Sequence, residues 1–221
     1  MKKSFDELSQ TLPGKVGVAI ASAGAEMISL GEWSDGVAWS TIKVPLAVAA
    51  SRAGVAHSDQ LVAAITRSDN AAAEELWSQL GDPAAQLVQS VLREAGDRAS
   101  MVESRRLRAE YTPFGQTRWS LTDQARFATG LARVSGASRI IDLMGALGVD
   151  HQWGFAAKGF AAKGGWGPGL NDEYLVRQFA IVSGTVGVAV AAEVGDGGYE
   201  AGVDAINSLA DWVVDEALTE Y

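Results

Sequence analysis

Trp39-Ser40-Thr41-Ile42-Lys43-Val44-Pro45 is the stretch that decides how this chain is read. A serine three residues before a lysine means nothing on a strand, where the two side chains point to opposite faces. On a helix, positions i and i+3 share a face. Ser40 and Lys43 then meet, and a serine hydroxyl needs such a base to attack a carbonyl. Ser40 follows a turn-like Gly36 and opens an apolar run, so a helix is predicted to begin here. Ile42, Val44, Leu46 and Val48 surround Lys43 in sequence and leave it poorly solvated. Pro45 sits about a turn inside that helix and has no N–H to give. An irregular first turn is therefore expected.

Two further strings follow in order. Ser68-Asp69-Asn70 leads into an Ala-rich helical stretch, and Lys163-Gly164-Gly165 enters a Gly-rich segment that runs into a strand-like one. A Ser-x-x-Lys pair arises by chance about once in a chain of this length, and a given tripeptide in roughly a few per cent of such chains. The signal lies in having all three, in this order and in these contexts. The simpler readings are an N-cap for Ser40 and a turn with a cap for Ser68-Asp69-Asn70. Lys163 is preferred over Lys158, which also precedes a glycine, because Gly164 and Gly165 permit close substrate approach. A helix start at Ser40 supplies unpaired N–H groups and partial positive charge. Such donors favour the oxyanion that develops in acyl transfer. That field, the Lys163 cation and burial should together push the Lys43 pKa down toward a neutral base.

The bulk numbers set the limits. With 221 residues the chain makes one domain or two tightly packed lobes. Its hydrophobic fraction, 48%, supports a sizeable core. A net charge of −9 argues against nucleic acid, which needs a basic face. There is no cysteine, so disulfides, thiolate catalysis and Cys-ligated metals are excluded. The two histidines, His57 and His151, lie far apart and are read as surface or structural. Neither a metal nor a cofactor is expected. No apolar run reaches the length of a membrane span. Met1-Lys2-Lys3 resembles the start of a signal peptide, but an acidic, amphipathic segment follows it. The chain is expected in the cell envelope or beyond if a signal segment was removed, and in the cytoplasm if Met1 is the native start.

Residues 15–21 and 25–30 read as strands around Gly24, and residues 174–183 and 186–194 as a second hairpin around Gly184. Residues 4–12 and 199–218 read as terminal helices, the latter with a stripe of Val203, Ile206, Leu209, Val213 and Ala217. Helical patterns dominate the middle, over 61–65, 71–80, 83–94, 121–134 and 137–147. Ser120 with Asp123 reads as a capping pair. Residues 110–118 read as an exposed loop. The economical arrangement is an α+β fold: an antiparallel sheet built from both ends of the chain, flanked by helices and joined to a helical lobe. The expected division is 1–38 with 155–221 for the sheet lobe and 39–154 for the helical lobe, with the active site in the cleft between them. Trp119, Trp153 and Trp166 lie near the motifs, and one of them is expected to line that cleft.

These residues resemble the serine β-lactamase and penicillin-binding transpeptidase superfamily, on the class A side because of Ser-Asp-Asn. Stretches 39–45, 111–120, 152–154 and 163–168 look most like a group of β-lactamase-like serine hydrolases, often lipoproteins, from actinobacteria. By that resemblance Ser40 would be the acylated nucleophile and Lys43 its base or part of a proton relay. Ser68 would shuttle a proton to the leaving nitrogen, Asn70 would hold the substrate amide, and Lys163 would attract a substrate carboxylate. Gly164, Gly165 and Trp166 would border the substrate, with the N–H groups of Ser40 and Trp166 as the oxyanion hole. The implied partner is a small-molecule or peptide substrate, a β-lactam or a peptidoglycan-like peptide.

Two departures stand out. Ser40 and Ser68 are 28 residues apart, roughly half the spacing in class A enzymes, which predicts a reduced helical lobe. The Glu-x-x-Leu-Asn segment that activates the deacylating water is absent. Glu103 and Glu110 lie in the right region without Leu-Asn after them. The resemblance thus implies an acyl-enzyme that deacylates slowly, or a non-catalytic cell-envelope protein that kept the fold.

Overall fold

The computed structural model describes residues 1–169, 173–195 and 198–218. A short helix, α1 (Lys2–Ser9), leads into strands β1 (Lys15–Ser22), β2 (Ile28–Gly31) and β3 (Asp35–Val37). Helices α2 (Lys43–Arg52), α3 (Ser58–Thr66), α4 (Asn70–Leu80) and α5 (Ala84–Glu94) follow. Then come β4 (Arg118–Ser120), α6 (Leu121–Leu131) and α7 (Ser138–Met144). The chain closes with β5 (Ala161–Pro168), β6 (Tyr174–Ser183), β7 (Val186–Val194) and α8 (Gly198–Trp212), the last extended by a π-helical turn over Val213–Ala217.

The main sheet has the order β2-β1-β7-β6-β5 and every pairing in it is antiparallel. β1 lies beside β7, Val18 opposite Val190, so the sheet draws on both ends of the chain as expected. Both faces are covered. Odd-numbered residues of β6 point toward α6 and Trp119, where Phe179 packs against Trp119 and Phe127. Even-numbered ones point toward α8, where Gly202 leaves room for Val176. Covered on both faces, β6 and β7 read as near-continuous apolar runs rather than alternating ones. β3 and β4 form a separate two-stranded ribbon, Gly36 opposite Trp119.

α6 lies within the 39–154 stretch yet packs on β1, β6 and β7. Its Thr129 hydroxyl donates to Ala21 O and accepts from Gly187 N. The Ser120–Asp123 cap forms: the Asp123 N–H donates to Ser120 Oγ at 3.1 Å. Helix and strand positions otherwise follow the sequence reading within a few residues, with two corrections. Residues 110–118 are not simply an exposed loop. They hold a 3₁₀ turn (Phe114–Gln116), and Phe114, Gln116 and Thr117 are buried. Phe114 tilts against Trp77 of α4, which pulls the segment inward. Second, Lys163 lies inside β5 rather than ahead of a strand.

Candidate active site

Ser40 does not occupy the first turn of an α-helix. It sits in a 3₁₀ turn, Trp39–Ile42, and α2 begins at Lys43. The irregularity expected from Pro45 is accommodated this way. Proline becomes the third residue of the α-helix proper, among the N–H groups that lack an intrahelical acceptor. Trp39, just before the serine, has φ of +50°. A bulky residue in the left-handed region is strained, and such strain gathers at functional sites. Ser40 itself is half-buried.

Lys43 is only 2% exposed. Its Nζ donates to Ser68 O at 2.5 Å and to Asn70 Oδ1 at 2.6 Å, and Ser68 Oγ lies 3.4 Å away. Burial lowers its pKa to about 7, with Asp69 opposing the shift. Two close acceptors use two N–H bonds. In the neutral amine the remaining position is a lone pair, which is what a base requires.

Ser68-Asp69-Asn70 forms a helix cap and also supplies the acceptors for Lys43. Asp69 is the N-cap of α4, its carboxylate accepting from Ala72 N at 2.9 Å. Asn70 is the first helical residue. Ser68 is held at φ +54°, the only other non-glycine with positive φ among the described residues. Its Oγ accepts from Lys163 Nζ at 2.8 Å. Lys163 is 1% exposed and also donates to Gly164 O at 3.2 Å. Burial holds its pKa well below the lysine range, and the Lys43 charge adds to this. Ser68 therefore links two buried amines.

β5 brings Lys163 there because it is the edge strand and its glycines let it come close. A Cβ on Gly165 would lie 2.8 Å from Ser40 N and 2.9 Å from Ala38 O, so the strand rests directly on the Ser40 turn. Gly164 points the other way. The space its missing side chain leaves is filled by the Trp153 ring, 2.5 Å from where a Cβ would be. Close approach at Gly164 thus serves an indole of the protein itself.

Ser40, Lys43, Ser68, Asn70, Glu110 and Trp166 all line one cavity of about 410 Å³. Glu103 is not in its lining. The Glu103 carboxylate binds Arg105 through the side chain at 3.0 and 3.2 Å and through the N–H at 2.8 Å, which holds it below the usual carboxylate range. Trp166 is the cavity-lining member of the expected trio, while Trp119 and Trp153 are buried in the core. Trp39 also lines the cavity. So does His151, which the sequence reading set aside. Its ring lies against Trp166 at 5.5 Å, and burial and then Lys163 lower its pKa, leaving it neutral near pH 7. Arg67, Glu74, Tyr111 and Tyr174 line it too, with Thr112, Phe114, Gly115, Gly167 and Pro168. The only sequence signal for Arg67 and Glu74 is adjacency to motifs: Arg67 precedes Ser68, and Glu74 stands one helical turn after Asn70.

No family model and no curated protein matches this sequence. Solved structures do match. The reconstructed last common ancestor of Gram-negative class A β-lactamases is 21% identical, with 98% of this chain and 99% of that one covered and a TM-score of 0.69. A β-lactamase from Streptosporangium roseum is 18% identical over 100% of this chain and 98% of that one, TM-score 0.70. One from Desulfarculus baarsii is 18% identical over 96% of each, TM-score 0.65. At such identities the likeness is one of fold. This chain has the fold of the class A serine β-lactamases.

Proposed function

We propose that this chain is a serine hydrolase or acyltransferase of the β-lactamase-like kind, acylated on Ser40. The observation that carries the reading is Lys43: an amine lowered to about 7, bonded to Ser68 and Asn70, in the wall of the cavity that holds Ser40. Neutral Lys43 takes the proton of Ser40 Oγ as that oxygen attacks the substrate carbonyl. The oxyanion is received by the N–H groups of Ser40 and Trp166. Ser68, supplied by Lys163, returns a proton to the leaving nitrogen. Asn70 holds the substrate amide, and Lys163, buried behind Ser68 and outside the cavity lining, draws its carboxylate as a charge at a distance. β-Lactams, peptidoglycan-type peptides and small esters fit this chemistry. The peptide substrate implies work outside the cytoplasm.

Deacylation is read as slow. Of the two expected glutamates only Glu110 stands in the cavity wall, together with Glu74, and both are exposed rather than set in a pocket that would shield a water. Loss of a general base typically costs about 10²–10⁴ in rate. Intact-mass spectrometry over time with benzylpenicillin, alongside nitrocefin hydrolysis, tests the reading. A long-lived adduct is expected, absent in Ser40→Ala. Turnover, if present, should fall in Glu110→Gln and stay the same in Glu103→Gln. Neither adduct nor hydrolysis with β-lactams, esters or D-alanyl-D-alanine peptides would leave a non-catalytic protein that kept the fold.

A further inference from the structure

Arg177 is a fully buried cation to which none of the chemistry above gives a role. It is 0% exposed, and burial brings its pKa down to about 9, so it stays charged at neutral pH. Its acceptors include no carboxylate. Nη1 donates to Gly36 O at 3.2 Å and Val37 O at 3.0 Å, and Nη2 to Trp119 O and Gln124 Oε1, both at 2.9 Å. The guanidinium lies over the Trp33 ring at 5.1 Å. Asp35 is near enough to favour the charge without bonding to it. A buried charge hydrogen-bonded only to neutral dipoles is costly, and side chains of this kind are rarely kept without a task.

The bonds lead to the nucleophile. Arg177 stands opposite Gly165 on the neighbouring strand, on the face that rests against the Ser40 turn. Through Gly36 and Val37 it grips the chain entering that turn. Through Gln124 it reaches the far side: Gln124 Nε2 donates to Thr41 Oγ1 at 2.9 Å, and Thr41 Oγ1 donates to Ala38 O at 2.6 Å. Trp39, at φ +50°, is therefore bracketed at residues 36–38 and 41 by one connected set of bonds. We propose that Arg177, acting through Gln124 and Thr41, is the positioning residue of the nucleophile: it holds Trp39 in its left-handed conformation and thereby sets where Ser40 Oγ stands. The proposal rests on the acyl-enzyme reading for its kinetic consequence, but not for its structural one.

The test uses Arg177→Met, Arg177→Lys and Gln124→Leu, with melting temperature as the folding control. For acylation by benzylpenicillin, the saturating rate constant should fall about 10²-fold in Arg177→Met, the scale of a misplaced reacting atom. The half-saturating concentration and the pH midpoint set by Lys43 should hold. Arg177→Lys should recover part of the rate, because an ammonium reaches some of the four acceptors. A melting temperature that falls while the saturating rate per folded molecule is unchanged would make Arg177 a structural tie only and overturn the proposal. If the Arg177 variants do not fold, Gln124→Leu carries the same measurements. Its crystal structure decides the question even if no penicillin acylates the wild-type protein, an outcome that sinks the acyl-enzyme reading alone. Trp39 leaving positive φ supports the clamp, and Trp39 unmoved refutes it.

Discussion

Lys43 Nζ and Asn70 Oδ1 lie 2.6 Å apart, which joins the first residue of one helix to the first residue of another. Two helix N-termini thus converge on a single amine. Each carries partial positive charge, so both disfavour the ammonium in the same sense as burial does. The acceptors that fix Lys43 in place favour its charge, and burial outweighs them to bring the pKa to about 7.

The rate of acylation should follow that amine. Lys43 is a base only when neutral, and its pKa is about 7. Acylation by benzylpenicillin should climb through neutral pH and level off above it. Lys43→Arg should abolish the climb, since guanidinium does not deprotonate. A wild-type rate that is flat between about pH 5 and 9 would rule out Lys43 as the base.

Stability should respond to the same group. In the unfolded chain Lys43 titrates at 10.5, and in the folded one at about 7. Below 7 both states hold the proton and the group contributes no slope. Between the two values the unfolded state binds more protons, so stability rises with pH. Chemical denaturation of wild type and Lys43→Met across this window should show the wild type gaining on the variant as pH increases. Parallel curves would contradict the lowered pKa.

Gly165→Ala should separate the two motifs that meet there. Its Cβ would fall 2.8 Å from Ser40 N and 3.0 Å from Thr41 N, against backbone that has little room to give. Overpacking of this kind typically costs about 1–3 kcal/mol. Acylation should drop at least about tenfold, because β5 and the Ser40 turn are pushed apart. A variant with wild-type melting and kinetics would show that the strand is free to shift.

Ser68 offers a cleaner comparison. Both Ser68→Gly and Ser68→Ala remove the hydroxyl that joins Lys43 to Lys163, so both should lose acylation equally. Only glycine is unstrained at φ +54°. The glycine variant should be more stable than the alanine one by about 1 kcal/mol, read as roughly 2–4 °C in melting temperature. Equal stabilities would mean that the backbone relaxes away from this conformation.

Much of this fold was legible. Period-2 and period-3.6 patterns located the two hairpins and most helices, and the pairing of the first and last strands followed from their lack of other partners. That Ser40, Lys43, Ser68 and Asn70 would line one cavity was legible because local strings carry them. β5 was obscured because Gly164, Gly165 and Gly167 read as a strand breaker, and close packing that only the assembled fold reveals explains them. His151 and Arg177 were missed for a related reason. No local pattern distinguishes a histidine that folds into a cavity wall, or an arginine whose acceptors lie on three distant segments. Residues 110–118 looked polar enough to be solvated, and contacts that only the fold brings about, Phe114 on Trp77, Tyr111 on Trp39 and the Ala38 N–H on Thr117 O, turned them inward.

The pairing of β1 with β7 also sets the order in which the molecule can be assembled. Helices α2 to α5 contact near neighbours in the chain, so they can collapse early, while strands joined across almost the whole sequence must first close a very long loop. Ser40 is made before β5, and β5 carries the lysine that bonds Ser68. A nascent chain therefore exposes Ser40 well before it has a finished pocket. Pulsed hydrogen exchange during refolding should find the amides of α3 to α5 protected ahead of those of β1, with acylation competence appearing only alongside the latter.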